Sequence, residues 1–203
     1  MGLDGCKRGK YELCESLIVA FAFPIDGTLQ RYHSYPFDTF YTLPDHLTLE
    51  DGAMLEPLSV AVHAVSNVGQ FRHGRNVLVF GAGPMGLLCM AVARVLGRRY
   101  IRSGWNWSRK CANPRANHGS LIAKEPKVTG SIVYCPGDYQ LALALASSGK
   151  VDLKPLVTHR FRFEDAVTAF EVTRARKSID ERGQTKDVIK TIILGPDVNP
   201  LDL

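Results

Sequence analysis

The sequence predicts an α/β fold, and three observations carry that expectation. A short apolar, β-branched run, Asn76-Val77-Leu78-Val79-Phe80, ends in the turn Gly81-Ala82-Gly83-Pro84-Met85-Gly86 and continues as a helical pattern from Leu87 to Leu96. Further strand-like runs recur near the end, Leu156 to Phe161 and Val188 to Leu194, with a helical period between them. The 203 residues are 45% apolar and 22% charged, which suits a chain that builds a core. No stretch approaches the roughly 18 consecutive apolar residues of a membrane span.

Taken in order, the elements read as follows. From Ile18 to Tyr41 aromatics mix with the turn signals Pro24-Ile25-Asp26-Gly27 and Tyr35-Pro36, so a β-rich opening of short strands and loops is expected. Thr48-Leu49-Glu50-Asp51 reads as a capping box, starting a helix that runs toward Val65. Pro57 lies inside it and predicts a kink, or two pieces meeting at Glu56-Pro57. In the glycine turn, Gly81 permits the tight bend, Gly83 lets the backbone approach a pyrophosphate, and Gly86 allows the helix to pack closely on the strand. The helix N-terminus, opening with Pro84 and Met85, then points free N–H groups at the phosphates.

The next apolar run is Val128 to Val133, which leaves room for about one crossover where a full dinucleotide fold has several. The segment 103–123 has no helical or strand period and reads as irregular. Asp138 is expected to cap a helix rich in Leu and Ala that closes at Ser147-Ser148-Gly149. Phe163, Ala166, Val167 and Phe170 form the apolar stripe of a later helix, and Arg174 to Thr185 reads as a charged loop.

The net charge is +5, unevenly spread. Between Glu56 and Glu125 there is no acid, and those residues carry ten Lys and Arg, so the remainder of the chain sums to a negative charge. Trp105 and Trp107 lie in this block, but an irregular junction explains them better than a nucleic-acid surface. The five cysteines, Cys6, Cys14, Cys89, Cys111 and Cys135, are an odd number, which argues against a disulfide framework. With no secretory or membrane signal in the first residues, the sequence reading places the chain in the cytoplasm.

Several stretches resemble zinc-dependent polyol dehydrogenases, the xylitol and sorbitol dehydrogenases of the medium-chain dehydrogenase/reductase superfamily. They are Cys6-Lys7-Arg8-Gly9-Lys10-Tyr11-Glu12-Leu13-Cys14, Leu55-Glu56-Pro57-Leu58-Ser59-Val60-Ala61-Val62-His63, the Gly81 to Gly86 turn, Gly137-Asp138-Tyr139, and Lys154 through Phe161. The resemblance implies a partial GroES-like catalytic domain at 1–64, a truncated Rossmann-type dinucleotide-binding domain at 65–135, and a C-terminal part, 136–203, that returns to the catalytic domain. It implies NAD and zinc as cofactors and a polyol as substrate. Glu56 corresponds to the acid beside the catalytic zinc, Tyr134 to a tyrosine of the substrate pocket, and Cys6 and Cys14 to the last two cysteines of a structural-zinc lobe. Gly81, Gly83, Pro84, Met85 and Gly86 correspond to the pyrophosphate turn.

The departures set further expectations. The family's zinc-binding Cys and its adjacent His-Glu pair would fall before Met1, Leu3 stands where another structural-zinc cysteine is expected, and Val133 replaces an Arg. Neither zinc site is expected to close, since zinc takes three or four protein ligands. His63 and His159 are read as packing or hydrogen-bonding residues, with no Cys, Asp or His partner at ligand spacing. No carboxylate follows the first nucleotide-domain helix, where the ribose of NAD is normally read. Arg98, Arg99 and Arg102 stand there instead, so NADP is expected to bind at least as well as NAD. The chain alone is thus expected to be inactive in polyol oxidation, the alternative being a noncatalytic fragment that pairs with intact dehydrogenase subunits as a homo- or hetero-oligomer.

Overall fold

A computed structural model of the chain describes residues 8–14, 26–70, 76–97, 101–104, 129–179 and 182–198, with backbone alone at 38 and 101–104. Helix α1, Leu49–Val62, is the centre of the molecule. Its start is the expected capping box: the Thr48 hydroxyl accepts from the Asp51 amide at 3.1 Å, while the Asp51 carboxylate accepts from the Thr48 amide at 2.9 Å. Of the two outcomes expected at Glu56-Pro57, separate pieces do not occur: the helix is continuous through Pro57. Leu55, Leu58, Ala61 and Val62 are buried on both sides of the proline, and that packing holds the helix across one missing N–H. Irregularity comes later instead, as a widened π-type turn over His63–Val68.

Strand β1, Val77–Phe80, the glycine turn, helix α2, Pro84–Val95, and strand β2, Ile101–Gly104, form one β-α-β unit with parallel strands, Val77 opposite Ile101. Strand β2 corrects the sequence reading twice. The next strand comes at Ile101 rather than near Val128, and the segment read as irregular from 103 begins inside a strand. Ile101-Arg102-Ser103-Gly104 holds a single aliphatic residue, so no period announces it. Among residues 129–133 there is no strand, and residues 105–128 lie outside the described set.

Helix α3, Asp138–Ser147, follows as expected, although Asp138 does not cap it: the N-cap is Gly137, at φ +94°, and it gives no side-chain bond. Strand β3, Val157–Phe161, pairs in parallel with β6, Lys190–Ile193. Between them lie helix α4, Ala166–Ala175, and an antiparallel pair, β4, Lys177–Ile179, with β5, Thr185–Asp187. Strand β4 lies inside the expected charged loop and β5 begins at its last residue. The apolar stripe predicted for α4 is also corrected, since Val167 and Phe170 are exposed and Ala169 is its buried residue. In the opening segment, residues 26–41 contain one 3₁₀ turn, Phe37–Thr39, and no strand, so the β-rich expectation fails there; residues 15–25 lie outside the described set.

The core is largely helical. Met54, Leu58 and Val62 of α1 meet Leu88 and Val92 of α2 and Ala142 and Leu145 of α3, with Val151, Leu153 and Val157 closing one end. Arg160 of β3 grips Glu50 in the first turn of α1 through two bonds of 2.6 Å, fixing the β3–β6 pair to the same helix. Among the described residues, no helix is long and apolar enough to cross a membrane. Because Leu58 is fully buried between α2 and α3, Leu58→Ala is expected to cost about 2–5 kcal/mol. Thr48→Ala, which removes only the cap, is expected to cost about 1 kcal/mol. Urea unfolding of the two variants checks both.

Candidate functional site

Two groups of residues hold the chemistry of the described structure. The first is the glycine turn between β1 and α2. Gly81 has φ +110°, a conformation that side chains disfavour. A Cβ on Gly86 would lie 2.9 Å from the carbonyl carbon of Gly81 and closer still to its oxygen, so only glycine lets the helix start this near the strand. A Cβ on Gly83 would meet nothing within 4 Å. Open space therefore lies in front of the turn, where the first amides of α2 have no partner in their own helix. Pro84, in the first turn, has no N–H to give and fixes φ for the helix. This shape fits a dinucleotide pyrophosphate held by backbone N–H groups.

The second group gathers around Glu56. It projects from the middle of α1 with an exposed side chain, yet neighbouring groups strip enough water to raise its carboxyl above the ordinary carboxylate value, against the opposing pull of Lys190. Ionising Glu56 thus costs more in the folded chain than in the unfolded one. Its contribution turns unfavourable as the pH rises from the ordinary carboxylate value through the raised one. Tyr134 is brought into the same field. Its phenol is raised first by burial and then by Glu56, with Tyr139, Tyr35 and Tyr41 adding smaller effects. Tyr41 stacks on Tyr139 with ring centroids 4.6 Å apart, and Tyr134 lies 6.0 Å from Tyr139. The backbone before Tyr134 is strained, since the β-branched Val133 sits at φ +40°.

Glu56 and Tyr134, the two catalytic candidates of the sequence, therefore share one polar, tyrosine-lined corner. Tyr41 and Tyr139 escaped the sequence reading as site residues. Tyr139 stood in the matching stretch Gly137-Asp138-Tyr139 without a role, and Tyr41 in none, so spacing arguments could not bring either to the site.

The catalytic zinc implied by the resemblance does not fit this corner. Among the described residues, the one group of three or more His, Cys, Asp or Glu side chains close enough to share an ion is Glu12, His63 and Cys135, and Glu56 is not part of it. Cys14 is a free, partly buried thiol outside that group, and Cys6 lies outside the described residues. Arg98 and Arg99 also lie outside them, as does the side chain of Arg102.

The two histidines sit in different surroundings. His159 is a hydrogen-bonding residue, as expected, with Nδ1 2.8 Å from the Thr158 hydroxyl and Nε2 2.6 Å from that of Ser178. His63 is buried, and its Nδ1 lies 2.8 Å from the Asp138 carboxylate. That carboxylate also accepts from the Asn67 amide at 2.7 Å and from the Cys135 backbone N–H at 2.7 Å. His63 is thus also a hydrogen-bonding residue, as expected, and its Asp138 partner stands 75 residues along the chain, beyond any ligand spacing in the sequence.

No family model matches the chain. A D-xylulose reductase from Aspergillus niger is 34% identical to it, over 96% of this chain and 70% of the relative. That alignment runs over 263 residues, 60 more than this chain possesses, so a block of the relative has no counterpart here. Among solved structures, L-idonate 5-dehydrogenase from Escherichia coli superposes with a TM-score of 0.74 at 19% identity, covering 94% of this chain and 71% of that one. An Escherichia coli alcohol dehydrogenase complexed with NADH gives a TM-score of 0.69 at 18% identity, covering 88% and 70%. At such identities the solved structures establish a shared fold.

The turn generates a paired prediction. Gly86→Ala forces backbone against backbone and is expected to cost about 1–3 kcal/mol of stability. Gly83→Ala enters open space, so it should leave stability nearly unchanged while obstructing a dinucleotide. Denaturation midpoints and calorimetric titration with NAD separate the two effects.

Proposed function

The chain belongs to the zinc-dependent polyol dehydrogenases of the medium-chain dehydrogenase/reductase superfamily, and on that footing we propose that its function is hydride transfer between a nicotinamide dinucleotide and a polyol–ketose pair. Its architecture is that family's combination of GroES-like and Rossmann-type parts, kept in part. The observation that carries the proposal is the 34% identity extending over 96% of the chain. The relatives are named for reducing D-xylulose, whose reverse is the oxidation of a pentitol.

When bound, the dinucleotide supplies the hydride acceptor or donor. Gly81, Gly83 and Gly86 shape the turn that receives its pyrophosphate, and Pro84 and Met85 open the helix whose amides point at it. Glu56 and Tyr134, with Tyr41 and Tyr139 beside them, offer a carboxylate and phenolic hydroxyls to a substrate that is itself a row of hydroxyls. Carboxylates accept hydroxyl hydrogens, phenols both donate and accept, and ring faces cover the carbon backbone of a sugar alcohol.

The division into 1–64, 65–135 and 136–203 belongs to the same proposal. So does cytoplasmic residence, with which a cysteine count that argues against a disulfide framework agrees. So does self-association through β1, which among the described residues pairs with β2 and leaves Leu78 about half exposed.

These 203 residues by themselves are expected to bind the dinucleotide weakly and to turn over neither xylitol nor sorbitol, because the described residues bring no metal donors to Glu56. Calorimetric titration should show NADP binding at least as well as NAD, and less of that preference after Arg98 and Arg99 are changed to Ala. An absorbance assay should show no NADH formed from either polyol. Clearly tighter NAD binding would contradict the cofactor preference, and turnover abolished by Glu56→Gln would restore a complete active centre to this chain.

A further inference from the structure

We propose that Glu12, His63 and Cys135 form a metal site for a zinc-class divalent cation, separate from the nucleotide turn and from the corner around Glu56. One carboxylate oxygen, one imidazole nitrogen and the thiol sulfur of these residues lie within 4.8 Å of one another. Tetrahedral zinc holds such donors about 3.3–3.8 Å apart, judging from its bond lengths of roughly 2.0–2.3 Å, so the site closes with side-chain movements of about 1 Å.

An independent observation points to a ligand. Glu12 is only 8% exposed, and its Oε2 is buried without a hydrogen-bond partner among the described residues. A buried carboxylate oxygen left unsatisfied is costly, and a cation in front of it removes that cost. The Cys135 thiol is turned toward Glu12, which places a sulfur donor beside the buried carboxylate, with Lys10 close enough to act on the same thiol.

His63 is prepared for the role from behind. Its Nδ1 is engaged by Asp138, leaving Nε2 as the ring nitrogen free to coordinate. An imidazole whose second nitrogen donates to a carboxylate has its tautomer and ring plane fixed, and its coordinating nitrogen made more basic. Asp138 is itself held by Asn67 and by the Cys135 amide, so the same carboxylate orients two of the three ligands. A carboxylate, an imidazole and a thiolate together suit zinc and cobalt, and they are a poor set for magnesium or calcium, which take oxygen donors. With three protein ligands, a water molecule completes the tetrahedron. The bound ion would pin the segment 8–14 to α1 and α3.

The full 203-residue chain, purified reduced and free of metal, is titrated with Co²⁺ and then with Zn²⁺ in competition. One cobalt per chain is expected, with a thiolate-to-cobalt charge-transfer absorption that zinc abolishes, and saturating zinc should raise the melting temperature. Cys135→Ser should lose the charge-transfer band, and Glu12→Gln should weaken binding roughly tenfold or more. Cys6→Ser and Cys14→Ser should leave the band and the stoichiometry unchanged. His63 is tied into the core, so the two variants outside it, Cys135→Ser and Glu12→Gln, carry the decision, with far-ultraviolet circular dichroism confirming their folds. Absence of saturable cobalt binding, retention of the band in Cys135→Ser, undiminished affinity in Glu12→Gln, or loss of the site in Cys6→Ser or Cys14→Ser would each overturn the assignment. None of these outcomes depends on dinucleotide binding or on polyol turnover.

Discussion

The buried contact between His63 and Asp138 is the interaction on which the arrangement of the sites depends. It joins the end of α1 to the start of α3 at 2.8 Å, with both side chains almost fully enclosed. A lone buried carboxylate would be strongly unfavourable, and Asp138 persists because His63, Asn67 and the Cys135 amide converge on it. The widened turn over His63–Val68 contributes, since His63 and Asn67 both reach the same carboxylate from it. The helix that would otherwise end at Val62 is thus held against α3, and the segment carrying Tyr134 and Cys135 is held with it.

That one tie orders two different polar regions along α1. Nearer the middle of the helix, Glu56 faces tyrosines and Lys190, an open corner suited to hydroxyl-bearing molecules. At its end, His63 meets Glu12 and Cys135 in an enclosed cluster suited to an ion. The difference lies in burial and partner type. The first carboxylate is exposed beside phenols and Lys190, whereas the second has a buried oxygen with no partner among the described residues and a thiol raised to about 12, by burial first and by Glu12 next. The nucleotide turn stands apart from both and reaches the core through Leu88 and Val92 of α2, which pack on α1.

Features governed by local physics were legible in the sequence. The capping box at Thr48 and Asp51, the glycine turn and the helix after Asp138 each follow from contacts a few residues apart, and the strand at Val77 announces itself by its local run of β-branched residues. What failed depended on distant chain. Pro57 did not break α1 because the residues around it are buried against α2 and α3, a fact absent from the local pattern. Strand β2 has almost no apolar signature and forms because β1 offers it a parallel edge. Asp138 was read as a cap because it opens a helix, yet its carboxylate turns to His63, far back in the chain. The same blindness hid the cluster of Glu12, His63 and Cys135, which spacing rules miss because each ligand comes from a different segment. Glu56 and Tyr134 were found through family resemblance, whereas Tyr41 was not, and Tyr139 entered only as part of a matching stretch with no role attached.

A double-mutant cycle between His63 and Asp138 tests this account most directly. Urea unfolding of His63→Gln, Asp138→Asn and the double variant, all without metal, gives the coupling between the two side chains. The account predicts that each single change is strongly destabilising, by about 3–5 kcal/mol where it leaves a buried polar group unpaired, and that the double variant costs much less than their sum. Effects that add to within about 0.5 kcal/mol would show that the two residues act independently, and that something other than their contact holds α1 to α3.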